Sequence, residues 1–402
     1  MTDRLPLSGL KVLDVATWIA APAAAVVLGD YGCDVIKVEQ PGEGDPHRAN
    51  HALPSLPRAA TNYPWHLDSR NKRSIALDLK HPDGRAALGR LIETADILIT
   101  NFPFPVRQRL KLAYEDVRDH NTRLIYASFT GYGEEGPDKD QPGFDSNAYF
   151  ARSGLFDTCR YEGQPPSFSL PAQGDRAAAM GLLSAILMAL YRRERTGQGM
   201  MVATSLYANG LWSNGLMAQA ALLDAFIGLR PPRDRPRSAV ANLYETRDGR
   251  WLQLSVVREE KNWPVFCRSI GRPALEADPR FKDTPSRRRN AAPLAALLDE
   301  VFRTRDQSEW REIFKAHNIT HAPIFRVADV AQDAQAVAAK AIVATGNPEM
   351  PRTLAAPFQI AGVEPRLAGP GPELGADTDA ILAEAGYSTD EIQALKSGGA
   401  AA

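Results

Sequence analysis

One carboxylate in the 402-residue sequence stands where it could act as a nucleophile. Asp175 follows a loop rich in Pro, Gly and Ser (EGQPPSFSLPAQG, 162–174) and precedes a helical pattern that runs from Arg176 to Arg193. The N-terminus of a helix keeps a carboxylate ionised, and the adjacent Gly174 allows a ligand to approach the backbone closely. An accessible, ionised carboxylate can attack an electrophilic carbon. The structural alternative is that Asp175 caps the helix by accepting a backbone N–H.

A second pattern, GYGEEG at 131–136, has the G-x-G-x-x-G spacing of dinucleotide-binding loops and follows a predicted strand. Such a loop holds a pyrophosphate at the N-terminus of a helix that begins within it. Here Pro137 and the loop-like run DKDQPGF follow instead. The glycines therefore predict a tight loop at the carboxyl end of a strand, where α/β sheets bind ligands.

Other catalytic motifs do not occur in the sequence. There is no G-x-x-x-x-G-K-[ST], no G-x-S-x-G and no H-E-x-x-H, and the seven histidines show no recurring ligand spacing. We therefore expect no nucleotide hydrolysis, no serine nucleophile and no metal site.

Composition narrows the class of protein. The 47 Lys and Arg nearly balance the 48 Asp and Glu, which argues against nucleic acid or a polybasic membrane contact as partner. The three cysteines, Cys33, Cys159 and Cys267, are too far apart for a disulfide framework or a zinc site, as is typical of a reducing cytoplasm. The N-terminus lacks an apolar signal core, and the stretch Leu211–Leu229 carries polar residues. We expect a cytoplasmic protein without a membrane span.

Strand and helix patterns alternate in the first 130 residues. Predicted strands are Lys11–Thr17, Asp34–Glu39, Ile75–Leu79, Ile97–Thr100 and Leu124–Thr130, and predicted helices are Ala20–Asp30 and His81–Thr94. This alternation predicts βαβ units and a parallel sheet with both faces covered, and hence an α/β fold.

The second half of the chain does not continue the alternation of strand and helix patterns. The run RPPRDRPR at 230–237 predicts a hinge, and Leu243–Val257 predicts a hairpin around Asp248-Gly249. Helical patterns near 259–271 and 291–317 complete a smaller α+β domain. A last helical stretch, Asp377–Leu395, is broken at Gly386, and the small-residue tail SGGAAA is expected to be disordered.

Over nearly its whole length the chain resembles the family III CoA-transferases, the group of formyl-CoA transferase and carnitine CoA-transferase, with the α-methylacyl-CoA racemases as relatives. The resemblance lies in SGLKVLDVATWIAAP, GDYGCDVIKVEQPGEGD, NKRSIALDL, ADILITNF, ASFTGYGEEGPDKDQPGFD, QGDRAAAMGLLSAILMALYRRERTGQG and APFQIAG. It implies an interlaced homodimer of chains with a Rossmann-like large domain and a smaller α+β domain. The implied bounds are 1–200 for the first part of the large domain, 201–225 for a linker helix, 226–329 for the small domain and 330–402 for a segment that returns to the large domain.

The resemblance also assigns residues. It makes Asp175 the nucleophilic aspartate. It implies CoA contacts at Ile19, Ala20, Gln40, Leu77, Asp78, Leu79, Lys80, Asn101, Phe102, Pro103, Arg109, Thr130, Gly131, Tyr132 and Gly133. Lys80 and Arg109, with Lys72 and Arg73 as further candidates, are the cations that CoA phosphates require. CoA and acyl-CoA enter as substrates, and no permanently bound cofactor is implied.

The implied reaction moves CoA from an acyl-CoA donor to a carboxylic acid acceptor through an anhydride and then a CoA thioester on Asp175. Two alternatives stay open: a 2-methylacyl-CoA racemase and a CoA-binding relative that does not catalyse. Racemases carry a proton-transferring histidine in the stretch that here reads QPGFD (141–145), and Phe144 at the matching position cannot move a proton. The arginines at 230, 233, 235 and 237 could clamp a dicarboxylate acceptor or form a solvated linker.

Overall fold

The strands are short runs of aliphatic and β-branched residues, a composition that suits buried positions in a sheet. The fold is taken from a computed structural model, which describes residues 5–402. Its strands are β1 (Lys11–Val15), β2 (Asp34–Glu39), β3 (Lys72–Ala76), β4 (Ile97–Thr100), β5 (Ile125–Thr130), β6 (Met200–Ser205), β7 (Ala241–Glu245), β8 (Trp251–Ser255), β9 (His321–Ile324), β10 (Ile342–Ala344) and β11 (Arg352–Leu354).

The α-helices connect these strands and cover the sheet. They are α1 (Ala20–Asp30), α2 (Tyr63–Ser69), α3 (Pro82–Thr94), α4 (Phe104–Leu110), α5 (Tyr114–Val117), α6 (Leu155–Cys159), α7 (Gln173–Thr196), α8 (Leu206–Ser213), α9 (Gly215–Ala221), α10 (Glu259–Ser269), α11 (Thr284–Arg289), α12 (Ala291–Phe302), α13 (Gln307–Ala316), α14 (Val327–Val330), α15 (Ala334–Ala338), α16 (Thr378–Glu384) and α17 (Thr389–Ser397). Two 3₁₀ helices (Pro46–Ala52 and Pro273–Glu276) and a π-helical segment (Asp145–Ala151) complete the set.

Strands β1 to β6 form one six-stranded sheet in the order β3-β2-β1-β4-β5-β6, and every neighbouring pair is parallel. The α/β fold with a parallel sheet is therefore confirmed. The direction in which strands are added reverses between β1 and β4. In sheets of this order the crevice outside the carboxyl ends at the reversal is the place where ligands bind.

One predicted strand is displaced, one observed strand was not predicted, and the predicted strands Lys11–Thr17 and Leu124–Thr130 are two residues and one residue longer than β1 and β5. The strand predicted at Ile75–Leu79 lies earlier, at Lys72–Ala76, because an ion pair between Lys72 Nζ and Asp14 Oδ2 at 2.8 Å allows a lysine to occupy a buried strand position. Strand β6 was not predicted: it lies in the segment assigned to a linker helix, 201–225, where α8 and α9 follow it. The short apolar run at 200–203 does not distinguish a strand from a helix by periodicity.

Helices cover both faces of the sheet. On one face the alanine-rich α1, buried at every position, packs against α7. On the other face α3, α16 and α17 share a second core with the sheet. The break predicted at Gly386 is confirmed, since it separates α16 from α17 with a φ of 86°.

The C-terminal tail is ordered, so the prediction of disorder for SGGAAA was wrong. Ala400 and Ala401 are buried. The Asp78 N–H donates to the Ala400 carbonyl at 2.9 Å, and the Ala402 N–H donates to the Ala76 carbonyl at 3.2 Å. Small side chains let this segment lie flat beside the end of β3, where its backbone groups find partners.

Helix α7 is the long crossover between β5 and β6. Its N-cap is Ala172, with a φ of 63°, and it ends at Gly197 in the left-handed conformation, as predicted for a glycine stop. By length and composition it is the one helix of residues 5–402 that could cross a membrane. Its buried residues, among them Ala178, Leu182 and Ile186, form part of the core beside the sheet.

The chain divides into two compact units. The larger holds the residues up to Thr158, Ser167–Ile227 and Val337–Ala402, and the smaller holds Cys159–Pro166 and Gly228–Ala336. In the smaller unit β7, β8 and β9 form an antiparallel sheet, and the predicted hairpin turns at Gly249, with a φ of 69°. The core of this unit contains Phe302, Trp310 and Phe314, which lie on α12 and α13. All three cysteines are free.

Candidate active site

A cavity of about 410 Å³ opens at the carboxyl ends of β1, β4 and β5, where the order of the sheet reverses. Its lining comes from the loops after these strands and from the start of α7. The residues are Thr17, Trp18, Ile19, Ala20, Asn101, Phe102, Pro103, Phe129, Thr130, Gly131, Pro142, Gly143, Phe144, Asp145, Ser146, Phe168, Ser169, Pro171, Ala172, Asp175 and Leu206. This is the position at which a doubly wound sheet holds its ligand.

Asn101 joins two of the lining loops. Its side-chain amide donates to the Thr17 carbonyl at 2.7 Å, and its side-chain oxygen accepts from the Thr17 N–H at 2.9 Å. The loops after β1 and β4 are thereby held together across the reversal.

The loop after β1 rests on a buried ion pair. Lys37 Nζ on β2 lies 2.7 Å from Asp45 Oδ2 and also donates to the Ala16 carbonyl. Asp45 Oδ1 accepts from the Trp18 N–H at 3.0 Å, and Trp18 has a φ of 67°. Burial alone would lower the pKa of Lys37, but the carboxylates of Asp14 and Asp45 outweigh it and raise that pKa. Lys37 therefore stays charged, and through Asp45 it holds the backbone of Trp18, which lines the cavity.

Asp175 lies in the first turn of α7 and does not cap it. No side chain caps the helix at Ala172. Instead, Asp145 Oδ1 accepts the Gly174 N–H at 2.8 Å, so the first residue of the π-helical segment satisfies a backbone N–H at the start of α7. The capping interpretation of Asp175 was therefore wrong, and its carboxylate lines the cavity.

Gly174 is required by this packing. A Cβ at position 174 would lie 2.3 Å from Asp145 Oδ1 and 2.3 Å from Tyr149 Cγ. The absence of a side chain allows the first turn of α7 to lie directly on Asp145 and on the ring of Tyr149. Gly174 thus places Asp145 and Asp175 beside one another.

Burial and nearby acids act on the Asp175 carboxyl group. Burial, followed by the charges of Asp145 and Asp68, raises the pKa of Asp175 to about 7, and only Arg176 opposes this shift. Arg176 is engaged elsewhere, because its guanidinium binds both oxygens of Asp68 at 2.9 and 3.0 Å. We expected the helix N-terminus to keep Asp175 ionised; burial and the neighbouring negative charges instead raise its pKa, so that it is only partly ionised at neutral pH.

A backbone crossing brings Asp145 to this place. A Cβ on Gly131, directly after β5, would lie 2.6 Å from Gly143 Cα, and a Cβ on Gly143 would lie 2.5 Å from Gly131 Cα. Because both residues are glycine, the loop at 142–145 can cross the end of β5 in direct backbone contact. The G-x-G-x-x-G pattern serves this loop, and no helix begins within it.

Comparison with known proteins agrees with this geometry. The model of CoA-transferase family III matches residues 7–378. The chain belongs to CoA-transferase family III. It is 30% identical over 395 residues to an (R)-2-hydroxy-4-methylpentanoate CoA-transferase of Clostridioides difficile, covering 97% of this chain and 98% of that protein. It is 34% identical over 400 residues to a cinnamoyl-CoA:phenyllactate CoA-transferase of Clostridium sporogenes, with 97% and 95% covered.

The fold matches as well. A CAIB/BAIF family protein from Brucella suis superposes with a TM-score of 0.85 at 28% identity, over 95% of this chain and 100% of that one. The predicted family and the predicted enzyme class are confirmed: this chain is a CoA-transferase, whose substrates are CoA thioesters and carboxylic acids.

The structure gathers about half of the residues that we expected to contact CoA. Ile19, Ala20, Asn101, Phe102, Pro103, Thr130 and Gly131 line the cavity together with Asp175. Gln40, Leu77, Asp78, Leu79, Lys80, Arg109, Tyr132 and Gly133 are outside this lining. Gln40 follows β2 and Leu77 follows β3, so these two leave the sheet at the same carboxyl edge.

The cations expected for CoA phosphates fall into two groups. Lys80 and Arg109 are exposed, and among residues 5–402 no salt bridge to either is found. Lys72 is buried against Asp14 and the Pro22 carbonyl, and Arg73 pairs with Asp34 and Glu384. Lys72 and Arg73 as phosphate ligands were therefore a wrong assignment, because both already neutralise acids of the larger unit.

Three of the four arginines of the hinge, Arg230, Arg233 and Arg237, make side-chain contacts within the smaller unit, and Arg235 is exposed. Arg233 binds both oxygens of Asp299, at 2.9 and 2.8 Å. Arg237 donates to the carbonyls of Gly228 and Leu229, and Arg230 stacks on Tyr161. These contacts favour a structural role over a clamp for a dicarboxylate.

Several residues of the cavity were missed in the sequence. In the sequence Asp145 is as easily a turn or capping residue as a proton-transferring group, and Phe168 is one residue of the loop rich in Pro, Gly and Ser. No local pattern marks them, because their place depends on the crossing of Gly131 with Gly143 and on the start of α7. In the described part of the chain no group of three or more His, Cys, Asp and Glu could hold a metal ion.

Proposed function

We propose that this CoA-transferase uses Asp175 as a covalent nucleophile that carries CoA from an acyl-CoA donor to a carboxylic acid acceptor. One observation carries the proposal: a single cavity at the reversal of the sheet holds the Asp175 carboxylate among residues expected to contact CoA. With a pKa of about 7, Asp175 is substantially ionised at neutral pH and more basic than an ordinary carboxylate. Both properties favour attack on a thioester.

The first half of the reaction loads CoA onto the enzyme. An Asp175 carboxylate oxygen attacks the thioester carbonyl carbon, the C–S bond breaks, and an acyl-aspartyl anhydride forms with release of CoA thiolate. The thiolate then attacks the aspartyl carbonyl carbon of this anhydride. The donor acid leaves as a carboxylate, and CoA remains on Asp175 as a thioester.

The second half runs in the opposite direction. The acceptor carboxylate attacks the aspartyl thioester, releases the thiolate and forms a second anhydride. The thiolate attacks the acceptor carbonyl of that anhydride, which yields the new acyl-CoA and regenerates the Asp175 carboxylate. No proton, water or nucleotide is consumed. The apolar lining supports this scheme because anhydrides must be kept from water.

The proposed CoA site extends from the cavity along the carboxyl edge of the sheet. Ile19, Ala20, Asn101, Phe102, Pro103, Thr130 and Gly131 would hold the thioester end of CoA. Lys80 and Arg109 remain accessible for its phosphates, as two exposed cations without salt bridges in the described residues. Gln40, Leu77, Asp78, Leu79, Tyr132 and Gly133 are assigned to the same site by the resemblance.

We also propose that two copies associate, as the resemblance implies. Trp212 on α8, Leu216 on α9 and Phe226 after them are 88%, 86% and 95% exposed. Folded proteins rarely leave a large apolar patch in water. Light scattering should give the mass of two chains, and Trp212→Glu with Phe226→Glu should weaken association. A wild-type monomer at about 10 μM would contradict the dimer.

The nucleophile is tested by substitution and by trapping. Asp175→Ala should lower CoA transfer at least about a hundredfold, or about 2.7 kcal/mol of barrier, while acyl-CoA binding persists. Asp83→Ala removes an exposed first-turn aspartate of another helix, α3, and should change activity less than about twofold. Hydroxylamine or borohydride added during turnover should label Asp175, detected by peptide mass spectrometry.

Two results would contradict this proposal, and each would favour a different function. An unlabelled peptide together with tight CoA binding would indicate a relative that binds CoA without catalysis. Uptake of deuterium at the α-carbon of (2R)-methylacyl-CoA in D₂O, without acyl exchange, would indicate a racemase. We expect no uptake, since Phe144 occupies the position of the racemase histidine and has no group that transfers a proton.

A further inference from the structure

The side chains around the cavity are mainly aromatic and aliphatic. Trp18, Phe102, Phe129, Phe144 and Phe168 supply rings, and Ile19 and Leu206 supply aliphatic groups. The lining contains two ionisable side chains, and both are acids: Asp145 and Asp175. No Lys, Arg or His of the described chain is among the lining residues.

Two cations next to cavity residues, Arg176 and Lys37, already pair with acids. Arg176 is bound to Asp68 at 2.9 and 3.0 Å, and the two residues line a second cavity. Lys37 is fully buried against Asp45 and Asp14. A carboxylate brought into the cavity would therefore meet Asp145 and lack a counter-ion, which is an unfavourable environment for a second negative charge.

We propose that the acids exchanged at this site are monocarboxylates with a bulky apolar group, either aryl or branched alkyl, and that dicarboxylates are excluded. This inference rests on the function proposed above, since it names the substrates of that same cavity. The reacting carboxyl group is turned toward Asp175, and the rest of the acyl group packs on the rings. Loss of water from these rings supplies the binding free energy.

Phe144 is the residue that we infer to set this preference. Its ring packs edge-on against the ring of Trp18, with centroids 6.3 Å apart and planes at 89°. It remains 56% exposed, so a different side chain can be accommodated at 144 without disturbing the core. Its backbone N–H is held independently of the ring, by the side-chain oxygen of Asn147 at 2.6 Å.

The test compares two acids of similar shape and different charge. Succinate and 4-methylpentanoate differ in that an isopropyl group replaces the second carboxylate, and 3-phenylpropanoate adds an aryl member. We expect kcat/KM for 4-methylpentanoate and 3-phenylpropanoate to exceed that for succinate at least about tenfold. Equal or better use of succinate would overturn the inference while leaving the CoA-transferase mechanism intact.

A binding measurement tests the inferred substrate class independently of the proposed mechanism. With Asp175→Ala and no acceptor acid present, calorimetry can compare the binding of 4-methylpentanoyl-CoA with that of succinyl-CoA directly. At least about tenfold tighter binding of the apolar thioester supports the substrate class even if Asp175 proves not to be the nucleophile. Equal or tighter binding of succinyl-CoA overturns the class.

Phe144→Arg places a cation in the cavity, and this cation should allow the site to accept the second carboxylate of succinate. It should reduce the preference for 4-methylpentanoate over succinate at least about tenfold. Phe358→Arg is the control: Phe358 stacks on Tyr31 in the same unit and does not line the cavity. An unchanged preference in Phe144→Arg, with melting temperature equal to that of the control, would remove Phe144 from the assignment.

Discussion

Asn101 and Thr17 exchange two hydrogen bonds across the point where the strand order reverses. The Asn101 amide donates to the Thr17 carbonyl at 2.7 Å and accepts from the Thr17 N–H at 2.9 Å. Both residues line the cavity. One side chain therefore connects the two loops that a doubly wound sheet uses to bind its ligand.

Asn101→Ala should damage both the loops and CoA binding. It removes both hydrogen bonds and leaves partly buried backbone groups unpaired, a cost of about 1 to 3 kcal/mol in the free energy of unfolding. We expect KM for acyl-CoA to rise about tenfold, more than kcat falls. Urea denaturation and steady-state kinetics measure the two effects.

Asn101→Asp refines this test. A carboxylate can accept from the Thr17 N–H but cannot donate to the Thr17 carbonyl, so its effect should be intermediate. Asn262→Ala, which removes an exposed side-chain hydrogen bond to Val257 in the smaller unit, should leave KM unchanged. An Asn101→Ala enzyme with wild-type stability and KM would contradict the role of this contact.

Gly174→Ala tests the packing that places Asp145 beside Asp175. The added methyl group would lie 2.3 Å from Asp145 Oδ1 and from Tyr149 Cγ. Relief of this overlap must displace one of these groups or α7, so we expect at least about a hundredfold loss of kcat/KM and about 2 kcal/mol of destabilisation.

Gly89→Ala is the matched control for Gly174→Ala. Gly89 lies inside α3, and a Cβ there would have nothing within 4 Å. Alanine should stabilise the helix by about 0.5 to 1 kcal/mol without affecting activity. Equal behaviour of the two variants would show that position 174 has no special packing requirement.

Much of the sheet could be predicted because buried parallel strands are continuous runs of β-branched and aliphatic residues. Asp34–Glu39 and Ile97–Thr100 are observed at the predicted bounds. The position of β3 was missed because Lys72 looks incompatible with burial until its partner Asp14, 58 positions earlier, is known. The ordered tail was missed for the same reason: Ala400 is held by Asp78, far away in sequence.

In the site, too, some features could be predicted from the local sequence and others depend on residues distant in the chain. Asp175 could be singled out from its place between a flexible loop and a helix, and the family resemblance strengthened the choice. Its protonation could not be predicted, because the pKa depends on Asp145 and Asp68, which reach it only through tertiary packing. Asp145 can accept the Gly174 N–H because the backbone crosses at Gly131 and Gly143. No local sequence pattern predicts that crossing.

Lys37→Met should strongly destabilise the protein. In the wild type, Lys37 Nζ lies 2.7 Å from Asp45 Oδ2 and donates to the Ala16 carbonyl. The variant loses both contacts and leaves the buried Asp45 carboxylate without its counter-ion. Loss of one member of a buried ion pair costs about 3 to 5 kcal/mol. Adding Asp45→Asn should restore part of this loss, because the unpaired charge is removed. Lys11→Met, at an exposed side-chain contact to Thr94, should shift stability by less than about 0.5 kcal/mol.

The raised pKa of Asp175 makes stability depend on pH. The folded protein binds a proton at Asp175 up to about pH 7, whereas the unfolded chain releases it near its ordinary value of 3.8. The free energy of unfolding therefore falls as the pH rises between these values. Asp175→Asn removes this dependence, so its stability relative to wild type should rise by about 2 kcal/mol from pH 4 to pH 8, after allowance for solvent screening at a partly exposed group. A constant difference between the two proteins would contradict the raised pKa.

Asp145→Asn should shift the pH profile of catalysis. Asparagine keeps the side-chain oxygen that accepts the Gly174 N–H at 2.8 Å, and it removes the charge that raises the pKa of Asp175. Wild-type kcat/KM should rise with pH up to about 7, as the nucleophilic carboxylate forms, and then level off. In Asp145→Asn the midpoint should move to lower pH, while the charges of Asp68 and Arg176 still act on Asp175. Asp138→Asn, at a carboxylate that pairs with Arg152 outside the cavity lining, should leave the midpoint unchanged. A midpoint in Asp145→Asn that stays in place or moves upward would show that Asp145 does not act on Asp175 through its charge.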